Sequence, residues 1–138
     1  SGLEMFVGNQ KIKTLIVLDG KNKHTIESSN LFQSSTSEIK NVIIDDGIVE
    51  IKNSVFSSHS IEHVTLPATL KTIGSYTFAY NKLTNTGLGK LPSSLTSLAT
   101  NAFYSNPDLT QITLTSPKDL EGWPNGGTVD GKTVIYER

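Results

Sequence analysis

The chain has 138 residues, enough for one domain that buries about two-thirds of its unfolded surface, and its lack of cysteine excludes a disulfide framework, an iron–sulfur cluster and a thiol nucleophile. Twelve Lys and Arg against thirteen Asp and Glu leave a net charge of −1, which removes the electrostatic case for nucleic acid or an anionic membrane as the main partner. Leu, Ile, Val and Phe make up 39 residues, too many for a disordered chain, while Ser and Thr contribute 16 each.

No apolar run approaches the roughly eighteen residues of a membrane span, and no basic start followed by an apolar stretch marks a signal peptide. The opening Ser1-Gly2 reads as a scar of tag removal, so the chain is expected to be a piece of a longer protein. Residues 1–11 are read as an N-terminal extension or cap. From residue 12 an internal period sets in. Ile12, Leu15 and Val17 stand at i, i+3 and i+5, and the spacing recurs at Ile39, Val42 and Ile44, at Ile61, Val64 and Leu66, and at Leu109, Ile112 and Leu114. Leu83, Thr86 and Leu88 form a weaker copy with Thr in the middle slot. A second apolar set follows within each unit: Ile48, Ile51 and Phe56, then Leu70, Ile73 and Phe78, then Leu95, Leu98 and Phe103. In the first unit only Ile26 and Leu31 can fill its last two slots.

The units run 12–38, 39–60, 61–82, 83–108 and 109–116, with extra residues at Gly20-Lys21-Asn22-Lys23 and Gly89-Lys90-Leu91-Pro92. Units of this length fit leucine-rich repeats and are shorter than the helical repeats of about 33–47 residues. The first set alternates at its end (Val64, Thr65, Leu66), as a strand with one buried face does. Leu70–Ile73 is expected to be a short extended piece and Ser75–Phe78 a tight helical or 3₁₀ turn. One unit cannot cover its own apolar face, so the units must stack. Stacking would place Phe56, Phe78 and Phe103 in one spine, with Ile51, Ile73 and Leu98 beside it. Residues 117–138 read as a C-terminal cap. Asp130-Gly131, between two β-prone runs, is a type I′ hairpin signal. Trp123 is either packing for that cap or a residue on which a ligand stacks.

Residues 61–83, IEHVTLPATLKTIGSYTFAYNKL, resemble the BspA-type leucine-rich repeat of bacterial surface proteins, in which Pro, Gly, Phe and Asn recur among the apolar slots. The unit at 83–108 is similar in PSSLTSLATNAFYSNPDL. The unit at 39–60 matches in its apolar slots but has Asp45 in place of Pro and Asn53 in place of Gly. Members rich in cysteine place it after the Phe, where this chain has His59, Asn81 and Asn106. The resemblance implies a right-handed leucine-rich-repeat solenoid of the α/β horseshoe class, mostly β with short helical turns and a parallel sheet on its concave face. It implies an exported, cell-surface protein that binds or adheres, and no reaction.

Among residues able to carry chemistry, His59 and His63 are four apart, but a strand is expected to begin between them, so no metal site is assigned. Asn81 and Asn106 have an amide able to satisfy a turn backbone as donor and acceptor, and His59 is expected to bond a loop in the same slot. Asp45-Asp46-Gly47 lacks the other ligands of a calcium loop and reads as an exposed turn. Gly87-x-Gly89 lacks the rest of a phosphate loop. No Ser or Thr has a base partner in a known pattern, so no catalytic residue and no cofactor is assigned, and the hydroxyls are attributed to turns and exposed strand positions.

Alternation leaves two outward columns on the concave face. Thr14, Asn41, His63, Asn85 and Gln111 form a polar one. Ile16, Ile43, Thr65, Gly87 and Thr113 form one that is apolar at one end. The ligand-binding residues expected from these columns are Thr14, Ile16, Asn41, Ile43, His63, Thr65, Asn85, Gln111 and Thr113. They would serve a non-enzymatic recognition module that binds protein or glycan on a host or neighbouring cell, with no nucleic acid and no membrane insertion in this piece. A spacer that displays another domain, or an accessory domain of a secreted hydrolase, are the rival readings.

Overall fold

The computed structural model describes residues 4–7, 14–18, 24–27 and 39–138; the slots expected at Ile12 and Leu31 and the insertion at Gly20-Lys21-Asn22-Lys23 lie outside them. In chain order the elements are β1 (Glu4–Val7), β2 (Thr14–Leu18), β3 (Thr25–Ile26), β4 (Asn41–Ile44), β5 (Glu50–Ile51), β6 (His63–Thr65), β7 (Thr72–Ile73), α1 (Asn85–Leu88), β8 (Ser97–Leu98), β9 (Gln111–Leu114), β10 (Thr128–Val129) and β11 (Lys132–Tyr136). They wind as a parallel-strand solenoid of about five turns, mostly strand with little helix, the arrangement that stacked units of about this length require. Each coil has three sides: a first strand, a two-residue second strand, and a turn that leads to the next coil.

On the first side β2, β4 and β6 pair in parallel, so that Leu15, Val42 and Val64 share one row and Ile16, Ile43 and Thr65 the next. The antiparallel strand β1 covers the outer edge of β2. On the second side β3, β5, β7 and β8 form a ladder of two-residue strands with Ile26, Ile51, Ile73 and Leu98 in line. The expected inner slots are buried: Ile39, Val42, Ile44, Ile48, Ile51 and Phe56 in one coil, and Ile61, Val64, Leu70, Ile73 and Phe78 in the next, with Leu66 partly buried. Phe56 and Phe78 stack with centroids 5.4 Å apart and planes within 8°; Phe78 and Phe103 stack at 5.8 Å and 7°. The phenylalanine spine therefore runs through three consecutive coils. Stacked rings of this kind add roughly 0.5–1.5 kcal/mol per pair beyond their buried area.

Side-chain ladders accompany the backbone ones. Thr69 Oγ1 donates to the Ile48 carbonyl at 2.8 Å, Ser94 Oγ to Leu70 at 2.6 Å and Ser116 Oγ to Leu95 at 2.8 Å. Part of the hydroxyl content thus bridges coil to coil, beyond the turns and strand faces expected from sequence. Asn81 is a buried strut: its Oδ1 accepts from the His59 and Ile61 amides at 3.1 and 3.2 Å, and its Nδ2 donates to the Phe56 and Phe78 carbonyls at 2.9 and 3.0 Å. Asn106 repeats the device one coil on, accepting from Leu83 N–H at 3.0 Å and donating to Phe103 at 2.9 Å. Because an unpaired buried amide costs about 1–3 kcal/mol, the slot suits a side chain that both donates and accepts.

The fourth unit departs from the expected strand. Residues 85–88 form the single helical turn α1, and the first-side sheet ends at β6. Three local causes act together. Thr84, in extended conformation, caps the turn by accepting from Gly87 N–H at 2.9 Å, the usual work of a Ser or Thr N-cap. Thr86 would have put a hydroxyl into a core slot and is instead exposed. Gly87 lies against β6 so closely that a Cβ there would stand 1.9 Å from the Glu62 carbonyl oxygen.

At the C-terminal end β11 stacks in parallel on β9, and β10 folds back on β11. Asp130 and Gly131 both have positive φ, 51° and 77°, as the type I′ turn demands. Trp123 is 1% exposed, and its Nε1–H donates to the Leu98 carbonyl at 2.8 Å. In earlier coils the matching carbonyls of Ile26, Ile51 and Ile73 accept backbone amides. The indole N–H therefore stands in for the amide of a coil that is absent, and ligand stacking on Trp123 is excluded.

Candidate recognition surface

The expected contact residues fall into two groups. Thr14, Asn41 and His63 share one register row, and Ile16, Ile43 and Thr65 the row two residues on. On this three-strand face Thr14, Ile16, Asn41 and Ile43 are partly exposed, and His63 and Thr65 are exposed. Ile16 lies directly beside Ile43, so the face has a small apolar pair next to the polar Thr14–Asn41–His63 row, with Thr65 at its end.

Asn85, Gln111 and Thr113 do not extend that face. Asn85 is on α1, and its side chain is engaged with the next coil: Oδ1 accepts from the Thr110 and Gln111 amides at 2.9 and 3.3 Å, and Nδ2 donates to Thr110 Oγ1 at 3.0 Å. Gln111 and Thr113 are on β9, in the separate β10–β11–β9 sheet. Thr113 is buried, bridged by Lys90 and bonded to Gln111 Nε2 at 3.0 Å, and Gly87 is buried against β6. The contiguous five-strand column therefore breaks after His63, because the polar fourth strand is replaced by a helical turn.

Asp46 is an exposed turn residue whose Oδ1 accepts from the Ala68 amide at 3.2 Å, and Gly47 N–H donates to Thr69 Oγ1 at 3.0 Å, so this acidic turn braces the next coil. Among the described residues no three His, Cys, Asp or Glu side chains converge as a metal shell would, and no helix is long and apolar enough to cross a membrane. His59 sits in a turn, and its partial burial holds its pKa below the ordinary 6.5. Burial first, and Asp119 second, raise the pKa of Tyr136, whose Oη donates to the Trp123 carbonyl and accepts from Leu120 N–H, both at 2.7 Å. Beside β7 and β8 lies an open groove of about 460 Å³ with Asn53, Thr72, Ser75, Ser97, Thr100 and Glu121 on its walls; it collects hydroxyls and one carboxylate but no base paired to a nucleophile.

The sequence reading placed no contact residue on the turn side of the coils. Tyr76, Tyr80 and Tyr104 are the large hydrophobic side chains that stand exposed there, at 39%, 51% and 41%. The signal was present: Tyr76 and Tyr80 occupy slots that hold Ser54 and Ser58 one unit earlier.

The model of the BspA type leucine rich repeat region matches in six copies over residues 4–121. The chain belongs to this family. BspA-type repeats are typically surface-associated in bacteria, form modules generally used for interaction, and are typically non-catalytic. No curated protein and no solved structure matches the chain significantly.

Proposed function

We propose that this BspA-type solenoid is a non-enzymatic recognition module of a secreted or cell-surface bacterial protein, and that it adheres to a protein or glycan partner on a host or neighbouring cell through the β2–β4–β6 face. The observation that carries the reading is the partly exposed Ile16–Ile43 pair, set in the register row next to the polar Thr14–Asn41–His63 row. Apolar side chains that folding leaves unburied within a polar frame mark contact sites. Three strands at about 4.8 Å spacing and about 3.3 Å rise per residue make a face on the order of 200 Å², far below the roughly 800 Å² per partner of a standard interface. Binding by this piece alone is therefore weak, and further repeats in the parent protein would add to it.

Replacing Asn41 and His63 with Glu puts two charges on the face and leaves the core intact. Folding should change by no more than about 0.5 kcal/mol, while capture of cell-surface extract components should fall several-fold. Equal capture by the folded double variant would remove the face from the reading and favour a spacer role.

A further inference from the structure

The third side of the coils carries a feature that neither the sheet face nor the core requires. Its segments 53–58, 75–80 and 100–106 contain no Asp, Glu, Lys or Arg. Val55 and Phe56, Thr77 and Phe78, and Ala102 and Phe103 point inward and are buried. Outward stand the three tyrosines. Tyr104 meets Tyr76 edge-to-face at 5.9 Å and 81°, and Tyr80 at 5.6 Å and 78°, so one aromatic cluster spans two adjacent coils. Among the described residues no hydrogen bond occupies any of the three phenol hydroxyls.

The backbone sharpens the point. Tyr76 and Tyr80 have φ of 55° and 60°; Ser54 and Ser58 in the preceding coil have 61° and 63°, and Ser105 in the following coil has 56°. The 58/80/105 corner thus takes the left-handed region in all three coils and the 54/76 corner in two, and a serine fills each of these positions that is not tyrosine. A bulky side chain there is an outlier that costs more than Ser, and rings left about half exposed return little of that through burial. Strain of this kind, retained without a folding benefit, points to use.

We propose that Tyr76, Tyr80 and Tyr104 form a stacking platform for a neutral glycan. The electron-rich ring faces attract the partly positive C–H faces of a pyranose, and the free phenol hydroxyls, with Ser58 and Ser105 at the corners that match Tyr80 in the adjoining coils, supply hydrogen bonds to sugar hydroxyls. The absence of charge along the three segments matches an uncharged ligand. Area argues against a folded protein partner. With each ring worth about 150–250 Å² when fully exposed, the exposed part of all three is roughly 250 Å², under a third of one side of a standard protein interface, yet of the scale of a short oligosaccharide. This site lies on a different side of the coil from the β2–β4–β6 face and goes beyond the function proposed above.

The test titrates the folded chain with cellotetraose, maltotetraose, chitotetraose and mannotetraose, following the tyrosine ring resonances by NMR. At least one sugar should shift all three rings saturably. The Y76S/Y80S/Y104S variant should lose about tenfold or more in affinity with an unchanged or raised Tm, since Ser already occupies these corners elsewhere. Should the triple variant misfold, Tyr80→Ser alone should weaken binding, while Tyr80→Phe should keep most of it. The Asn41→Glu, His63→Glu double variant should keep the same sugar-induced shifts of the tyrosine rings, which separates this site from the sheet face. Unmoved tyrosine rings at millimolar sugar, undiminished binding by a folded serine variant, or ring shifts produced only by uncharged peptides would each overturn the proposal.

Discussion

Residues 39–82 and residues 83–108 keep the same inner set and differ on one side. In both, Leu or Ile slots and a phenylalanine point inward, and a short strand, β5, β7 or β8, lies on the second side. On the first side the earlier coils have strands, and there the Lys40 carbonyl accepts from the Glu62 and His63 amides at 2.7 and 3.1 Å. The later coil has α1, and the two matching amides, of Thr110 and Gln111, are received by the Asn85 side chain. A side-chain oxygen has taken over the job of a backbone carbonyl. Trp123 Nε1 does the converse at the C-terminal end by replacing a backbone donor. The solenoid thus tolerates a changed side provided the core slots repeat and each edge polar group is answered, as the high cost of unanswered backbone groups demands.

The shared inner set should carry the largest effect. Phe78 is stacked on both faces, by Phe56 and by Phe103, and it is fully buried. Phe78→Ala is expected to cost about 3–5 kcal/mol in urea or thermal unfolding. A loss below about 1 kcal/mol, the size typical of an average substitution, would show that the spine is not what unites the two kinds of coil.

The side on which they differ should be sensitive in its own way. Gly87→Ala forces a methyl onto the Glu62 carbonyl oxygen, a backbone atom fixed in the β6 coil, and is expected to cost about 1–3 kcal/mol. Thr86→Ala, at an exposed position of the same helical turn, should stay within about 0.5 kcal/mol. If the two variants were equally stable, the close packing of α1 on β6 would not be what holds the helical turn.

The common part was legible from sequence because a repeat presents the same question several times. Phe56, Phe78 and Phe103 each follow their second-strand residue by five positions, and stacking is the one arrangement that buries all three. The exceptional part was harder to read because its causes occur once. Leu83, Thr86 and Leu88 keep the spacing of the other units, so periodicity favours a strand. What decides for a helix is the Thr84 cap and the closeness of Gly87 to a carbonyl one coil away, and only the second of these is a tertiary fact. Asn85, read as one more outward polar residue, is a bridge for the same reason. The tyrosine cluster is also tertiary: its three rings come together only once the 75–80 and 100–106 turns are stacked.

The smallest effect concerns the slot that His59, Asn81 and Asn106 share. The two asparagines span neighbouring coils with neutral amides, whereas His59 can gain a proton. Partial burial lowers its pKa beneath 6.5 in the folded chain, while the unfolded chain keeps a value near 6.5. Above that pH both states hold neutral imidazole, and the full stability of the fold is present. As the pH falls through 6.5 toward the folded value, the unfolded state binds a proton that the folded state refuses, and stability declines. His59→Asn makes the slot uniform and removes this titration. The thermal midpoint of the native chain should therefore fall more than that of the variant between roughly pH 7 and pH 5, the range in which histidine charges. The difference between the two curves isolates His59 from His24 and His63, which both proteins retain. Parallel curves would mean that His59 is as well solvated when folded as when unfolded, and a native midpoint that rose relative to the variant on acidification would mean that the folded turn stabilises the imidazolium, leaving the asparagine slots and the histidine slot with opposite electrostatic character.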